Sequence, residues 1–234
     1  MLWDFDGTLV SRPSMWCQSV ARAVAELAPH RAVALDALDT ALKTGFPWHR
    51  PDVPHPELCD PEAWWGQVTG RVAEVLTTLG CTLVEARLAS LRVRELIVDS
   101  TRYEVFADVE PALRRLSDAG WKQAVVSNHI PELARLLANL GLASYLARVY
   151  TSALVGYEKP HLGFLGRVLD DGPWPAPIWV VGDSAEADCL PARAVRCRAV
   201  LVRARDERFR PCVADLSQAV DLMTAQRPAR EGLT

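Results

Sequence analysis

Apolar residues in the first third of the chain recur every three to four positions, which predicts a series of amphipathic helices. This pattern runs almost without interruption from about Ser14 to Asp99. A proline-rich stretch, FPWHRPDVPHPELCDPE, interrupts it and is predicted to be loop. Four helices in one segment predict a small helical bundle. Their sequences are SMWCQSVARAVAELA, AVALDALDTALKT, EAWWGQVTGRVAEVLTTLG and TLVEARLASLRVRELIVDS.

From about Tyr103 the pattern changes to short apolar runs that alternate with amphipathic ones. The runs WKQAVVSN, PIWVVGD and RAVLV are predicted to be buried strands, and MLW at the start of the chain resembles them. The helices predicted between them are VEPALRRLSDAG, IPELARLLANLG and AEADCLPARAV. Pro131 is expected in the first turn of the second helix and Gly141 just past its end. Such alternation favours an α/β core with a parallel sheet and helices on both faces.

The two patterns together predict one α/β core that is interrupted by a helical insertion. We assign residues 1–13 and 99–234 to the core and 14–98 to the insertion. The last ten residues, AQRPAREGLT, are expected to fray.

Composition narrows the class of protein. The chain has 234 residues, half of them apolar, and a formal net charge of −3, which argues against a general nucleic-acid or anionic-membrane binder. The six cysteines form no CxxC pair and are expected to be buried, reduced thiols. Neither a signal peptide nor an apolar run of about 18 residues is evident, so a soluble, cytoplasmic protein is expected.

Polar residues that directly follow the predicted strands are the candidates for chemistry, because ligands of open α/β sheets bind beyond the carboxyl ends of the strands. Lys159 in GYEKP is added to them, although it precedes a helix. The residues that follow strands are Asp4, Asp6, Ser127, Asn128 and Asp183.

The aspartates among these candidates predict a metal site. Asp4 and Asp6 lie two apart on an extended segment and point the same way, and Gly7 allows a sharp turn after them. Gathering them with Asp183 and Asp188 would raise the pKa of each carboxyl group. A hard divalent cation such as Mg²⁺ removes this conflict. With a lysine and a serine nearby, the set predicts a magnesium-dependent phosphate site.

In these motifs the sequence resembles the haloacid dehalogenase superfamily, in its phosphatase branch. DFDGT matches the family's DxDxT, Ser127 ends the second motif, Lys159 is the third, and GD with a later acid matches Asp183 and Asp188. The four motifs occur in the family's order over nearly the whole chain. The resemblance implies a Rossmann-like three-layer core with an inserted four-helix cap.

The resemblance also implies a role for each motif residue. Asp4 would attack phosphorus and form a phosphoaspartate, and Asp6 would act as general acid and then base. Mg²⁺ would be held by Asp4, the main-chain carbonyl of Asp6, and Asp183. The phosphoryl group would be held by Ser127, the Asn128 amide and Lys159. Asp188 would orient either Lys159 or a metal-bound water.

Several activities on this core stay open. A phosphomutase would share every core residue, and a catalytically idle phosphate- or metal-binding protein would keep the fold. Asp6 argues against a dehalogenase, which needs no acid for the leaving group, and Lys43 is the single cap lysine that a phosphonate hydrolase could use. The loop after Lys159 departs from the family pattern, with His161 and Leu162 in place of Asp-Pro. The preferred interpretation is hydrolysis of a small phosphomonoester.

Aromatic and histidine residues near the motifs have two interpretations each. Trp48, His49 and Arg50 of the cap loop either contact the leaving group or pack the loop. Trp64 and Trp65 are expected in the core of the cap. His129 and His161 lie next to motifs but are left out of the predicted site.

Overall fold

A six-stranded parallel sheet forms the centre of the computed structural model, which describes residues 1–172 and 174–226. The strand order is β5-β4-β1-β6-β7-β8, and a separate antiparallel pair joins β2 to β3. The strands are β1 Leu2–Trp3, β2 Val10–Ser11, β3 Glu104–Val105, β4 Ala124–Ser127, β5 Arg148–Thr151, β6 Trp179–Gly182, β7 Arg198–Val202 and β8 Cys212–Val213.

The first strand is short but central. Leu2 pairs with Ala124 of β4 on one side and with Val180 of β6 on the other. The ladder continues one residue further, because the Asp4 N–H donates to the Val181 carbonyl at 2.9 Å. The sequence interpretation of MLW as a core strand is therefore confirmed.

Ten α-helices surround the sheet within the described residues. They are α1 Met15–Leu27, α2 Leu35–Ala41, α3 Pro61–Thr78, α4 Leu83–Val98, α5 Val109–Asp118, α6 Leu133–Asn139, α7 Ser152–Val155, α8 Leu162–Asp170, α9 Leu190–Ala194 and α10 Leu216–Ala225. Local chemistry explains several starts: the Asp60 side chain caps α3, and Thr82 and Glu85 form a reciprocal capping box on α4.

Apolar side chains on the two faces of the sheet belong to two separate clusters. Trp3 contributes to one cluster and its neighbour Leu2 to the other, since successive strand residues point to opposite faces. The first cluster continues into the helical segment 15–98, whereas the second includes Phe164 of α8. Helices therefore cover both faces, as the predicted α/β fold class requires.

Three sequence predictions need correction. Pro131 lies before α6, which begins at Leu133, so the helix is shorter than predicted. The predicted helix AEADCLPARAV is divided into a π-helical turn, Ala185–Cys189, and α9. All six cysteines are free thiols, but three are only half-buried. Those three are Cys17, Cys59 and Cys212.

Several elements were not predicted at all, notably β5, β8, the β2–β3 pair and the helices α7 and α10. Of the ten C-terminal residues expected to fray, Ala225 ends α10 and Gln226 caps it, and the other eight lie outside the described residues. Within 1–172 and 174–226, no helix is both long and apolar enough to cross a membrane.

Candidate active site

Three adjacent strands bring the predicted residues of their carboxyl ends together. Asp4 follows β1, Ser127 ends the neighbouring β4, and Asp183 follows β6 on the other side. Because parallel strands end at the same edge of a sheet, residues far apart in sequence meet there. The Ser127 hydroxyl donates to Asp4 Oδ1 at 3.0 Å.

Lys159 lies buried among these carboxylates. Its ammonium donates to Asp4 Oδ1 at 2.6 Å, to Asp188 Oδ1 at 2.5 Å and to the Val126 carbonyl at 3.0 Å. Burial alone would lower the pKa of Lys159, but the charges of Asp188 and Asp4 outweigh it and raise the pKa above its usual value. Lys159 is therefore a fixed, charged group that links the first and fourth motifs.

Asn128 holds the loop that carries this lysine. Its side-chain Nδ2 donates to the Lys159 carbonyl at 2.9 Å, and its Oδ1 accepts the Lys159 N–H at 2.7 Å. The two bonds fix the main chain of Lys159 against the end of β4. The sequence identified Asn128 as a site residue, but did not predict that its side chain would bind Lys159.

A second attachment to this loop comes from the proline-rich segment of the helical insertion. The His55 N–H donates to the Gly156 carbonyl at 2.9 Å, and His55 Nε2 lies 3.2 Å from Glu158 Oε1. Both side chains are buried. The insertion therefore contacts the core one residue before Lys159, through a pair that the sequence did not single out.

Asp4, Asp183 and Asp188 form a group in which one carboxylate oxygen of each lies within 4.8 Å of the other two. Two glycines make this approach possible. A Cβ at Gly7, where φ is +74°, would lie 2.1 Å from Asp183 Oδ2, and a Cβ at Gly182 would lie 2.2 Å from Asp188 Oδ2. Any side chain at either position would displace a carboxylate.

Asp188 is buried and bonded on both oxygens. Its Oδ1 accepts from Lys159, as described above, and its Oδ2 accepts the Ser184 N–H at 3.1 Å. The geometry thus places Asp188 against the lysine that the sequence predicted it to orient. Its carboxylate also belongs to the group that could hold a metal ion, and orientation of a metal-bound water by Asp188 stays a prediction.

Asp6 is oriented differently from the other aspartates. Its main chain forms a bridge with Val10, and its half-buried carboxylate lies outside the three-carboxylate group. Burial and the neighbouring Asp4 raise the pKa of Asp6 to about 7. The metal contact predicted for Asp6 was through its main-chain carbonyl, and it remains a prediction.

The charges of the site fit a divalent cation. Burial and Asp4 raise the pKa of Asp183 to about 7, and burial raises that of Asp188 to about 6 although Lys159 opposes it. Raised pKa values mean that ionising all the carboxyl groups together is unfavourable, since the one ammonium of Lys159 faces four carboxylates. These are the carboxylates of Asp4, Asp6, Asp183 and Asp188. All the donors are oxygens, which is the donor set that Mg²⁺ prefers. The residues therefore fit the predicted cofactor.

His129 is a residue at the site that sequence reasoning missed. The ring is buried and packs edge-on against Phe5 at 5.2 Å, with its Nε2 3.4 Å from Asp6 Oδ2. Neither ring nitrogen has a hydrogen-bond partner among the described residues. Burial lowers the pKa of His129 to about 3, so the ring is neutral at neutral pH. Its position directly after Asn128 was the one signal that could have identified it.

A cavity of about 380 Å³ opens beside Asp6 and His129. Three indole rings line it, from Trp16 of α1, Trp48 of the cap loop and Trp64 of α3. The two interpretations of the cap loop therefore apply to different residues. Trp48 faces the cavity, whereas His49 and Arg50 are not among the described residues that line it. Trp64 is buried, as predicted for a core residue, but also contributes to this wall.

Comparison with known proteins agrees with the motifs. The family model for haloacid dehalogenase-like hydrolases matches residues 1–196. This chain belongs to that family. A curated relative, haloacid dehalogenase-like hydrolase domain-containing protein 3 of Danio rerio, is 26% identical over 218 residues, which cover 88% of this chain and 85% of the relative. The resemblance seen in the sequence is confirmed.

Solved structures show the same fold at low identity. YfnB of Bacillus subtilis, solved with magnesium bound, has a TM-score of 0.70 at 13% identity, covering 95% of this chain and 97% of that one. A 2-haloacid dehalogenase from Pseudomonas syringae pv. Tomato also has a TM-score of 0.70, at 20% identity, covering 97% and 98%. Other similar structures carry the names of phosphatases. At such low identities the similarity shows the fold alone, and the reaction has to be inferred from the residues of the site.

Proposed function

We propose that this chain is a magnesium-dependent hydrolase of small-molecule phosphomonoesters, with Asp4 as nucleophile and Asp6 as general acid and base. The observation that carries the proposal is the pairing of these aspartates. Asp4 is held by Ser127 and Lys159, while Asp6, two residues later, opens into the cavity with its pKa raised to about 7. A dehalogenase has no need for such an acid, whereas an alkoxide leaving group does.

Hydrolysis would proceed in two steps on these residues. One carboxylate oxygen of Asp4 bonds to phosphorus as the bond from phosphorus to the leaving oxygen breaks, and Asp6 gives that oxygen its proton. A water molecule then gives a proton to Asp6 and attacks phosphorus, which releases phosphate and restores the Asp4 carboxylate. A pKa near 7 suits Asp6 to both proton transfers at neutral pH.

The residues around Asp4 would position the phosphoryl group. The ammonium of Lys159 and the hydroxyl of Ser127 already meet at Asp4 Oδ1, so a phosphoryl group on Asp4 lies within reach of both donors. The Asn128 side chain is bonded to the Lys159 main chain, so Asn128 would contact the phosphate through its main-chain N–H. Asp188 would act as a positioning residue for Lys159.

Mg²⁺ would be held by the carboxylates of Asp4 and Asp183 together with the main-chain carbonyl of Asp6. When bound, it supplies positive charge to the oxygens of the phosphoryl group. The proposed domain division supports this arrangement: residues 1–13 and 99–234 carry these groups, and the cap, 14–98, supplies three indole rings of the cavity.

Hydrolysis of p-nitrophenyl phosphate with and without Mg²⁺ tests the proposal. Turnover should require the metal and should fall by at least about 10³-fold in Asp4→Asn, because the amide cannot form the phosphoaspartate. Asp118→Asn is the matched control, since Asp118 is exposed at the end of α5; it should keep the natural rate. Unchanged turnover in Asp4→Asn would refute the mechanism. A folded chain that binds Mg²⁺ but turns over no member of a broad ester panel would be a binding protein.

A further inference from the structure

The cavity beside Asp6 is walled by indole rings that contact one another. The rings of Trp16 and Trp48 are nearly parallel, with centroids 5.0 Å apart and planes at 23°. The Trp64 ring lies 6.0 Å from that of Trp48, tilted by 32°. Met15 and Ile130 add further apolar surface. The surface offered to a leaving group is therefore mostly apolar and aromatic.

Polar partners for a leaving group are few in this cavity. The polar nitrogens of His129 and Trp64 are buried within the wall, and the Asn128 side chain is bonded to Lys159. Ser152 contributes a hydroxyl. A sugar or polyol would lose its water and gain few replacement hydrogen bonds, which is unfavourable for each hydroxyl left without a partner.

Arg12 is the one Lys or Arg among the described residues that line the cavity. Its guanidinium already donates to the Ile97 and Leu96 carbonyls and to the Ser19 hydroxyl. It also lies over the Tyr103 ring, 4.4 Å from the centroid. Arg12 therefore holds the segment after β2 to the end of α4, and three of its five N–H groups have acceptors within the protein.

We propose that this cavity receives the leaving group of the substrate and that this group is a flat aromatic alcohol. The inference rests on the proposed function and narrows it to aryl and arylmethyl phosphates. A volume of about 380 Å³ is within the range of small-molecule sites. Contact between aromatic rings, edge-to-face or stacked, favours a planar ring over an alkyl chain of similar apolar area.

Turnover by the natural protein gives the first test. Three esters of primary alcohols have leaving groups of similar intrinsic reactivity: 2-naphthylmethyl phosphate, octyl phosphate and glucose 6-phosphate. The kcat/KM for the naphthylmethyl ester should exceed that for octyl phosphate by about 10-fold and that for glucose 6-phosphate by more. Equal values for the first two, or preference for the sugar, would overturn the inference while leaving the proposed function intact.

Binding of non-hydrolysable analogues separates the two proposals. In the presence of Mg²⁺, calorimetry should show 2-naphthylmethylphosphonate binding about 10-fold more tightly than octylphosphonate. If that preference appears but none of the esters is hydrolysed, the proposed function fails and the aromatic site stands. If the two phosphonates bind equally, the aromatic site is wrong whatever the turnover.

A variant tests whether the preference comes from the indole wall, which is formed by the rings of Trp16, Trp48 and Trp64. Trp48→Leu should weaken naphthylmethylphosphonate binding by about 10-fold and leave octylphosphonate nearly unchanged. Trp174→Leu is the matched control, because Trp174 lies with Met1 and Lys122 at the opposite edge of the sheet; it should keep the preference. An unchanged preference in Trp48→Leu would contradict the assignment, and should that variant not fold, the comparison of phosphonates on the natural chain decides.

Discussion

At the carboxyl edge of the sheet the polar side chains are bonded to one another, so that each depends on its neighbours. Lys159 contacts Asp4 and Asp188 together, and Asn128 holds the main chain of Lys159. The indole wall that faces this edge is held by ring contacts between Trp16, Trp48 and Trp64, and none of these contacts depends on charge.

The two regions should therefore tolerate change differently. Removing one charge from the carboxyl edge leaves the others buried and uncompensated, which is costly. Replacing one ring of the wall changes the shape of the cavity but leaves every ion pair in place. The comparison teaches that the charged groups of the carboxyl edge depend on one another, whereas the rings of the indole wall can be changed one at a time.

The largest effect is expected from Lys159→Met. Loss of the ammonium leaves Asp4 and Asp188 without their shared counter-charge, so the free energy of unfolding should fall by about 3–5 kcal/mol. Activity should fall by a similar factor for every ester, whatever its leaving group. Urea denaturation and steady-state kinetics measure both quantities. The control is Lys43→Met, since Lys43 is exposed and paired with Asp39; equal stability losses in the two variants would contradict the coupling.

A second effect on stability is expected from pH in the absence of divalent cations. Burial raises the pKa of Asp6 and Asp183 to about 7 in the folded chain, from an ordinary value of 3.8. Between these values the unfolded chain binds fewer protons than the folded one, so the free energy of unfolding should fall as pH rises from 4 to 7. Added Mg²⁺ should stabilise the chain more at pH 7 than at pH 5.

Denaturation midpoints measured across this pH range, with a chelator or with Mg²⁺, check that expectation. Asp183→Asn supplies the comparison, because an amide cannot ionise. Without metal its profile should be less steep than that of the natural chain, and it should gain less from Mg²⁺. Identical profiles for the two chains would show that Asp183 is not responsible.

The smallest effect is expected from two adjacent tryptophans of α3 that have different partners. Trp65 Nε1 donates to Glu132 at 3.0 Å, and Arg94 lies over its ring, whereas Trp64 Nε1 has no partner among the described residues. Trp65→Phe should therefore lower the free energy of unfolding by about 1 kcal/mol more than Trp64→Phe. Trp64→Phe should instead raise the KM for 2-naphthylmethyl phosphate. Thermal melts and kinetics on both variants test this. A larger stability loss in Trp64→Phe, together with a raised KM in Trp65→Phe only, would show that Trp64 does not contact the leaving group.

Much of the site was predictable because it follows from strand ends. Asp4, Ser127 and Asp183 each end or follow a short apolar run, and parallel strands deliver such residues to one edge. Lys159 lies on no strand; it was added as a candidate although it precedes a helix, and the family resemblance then matched it to the third motif. His129 was missed, because a histidine beside a motif has no sequence pattern that separates a cavity wall from a bystander.

The sequence by itself determined the α/β core, the helical segment 14–98 and the order of the four motifs, since these depend on local periodicity, caps and strand ends. It did not predict β5 or β8. Edge strands such as RVYT, at 148–151, are partly exposed and lack a continuous apolar run. Their pairing is decided by the neighbouring strand rather than by their own composition.

Tertiary structure alone decided which aromatic residues face the cavity. Trp64 and Trp65 are consecutive, equally apolar and both buried, yet one lines the cavity and the other is bonded to Glu132. The same holds for the side chain of Asn128, whose partner is 31 residues away. Periodicity reports which side of an element is buried, but what lies against that side depends on the packing of elements that are distant in the chain.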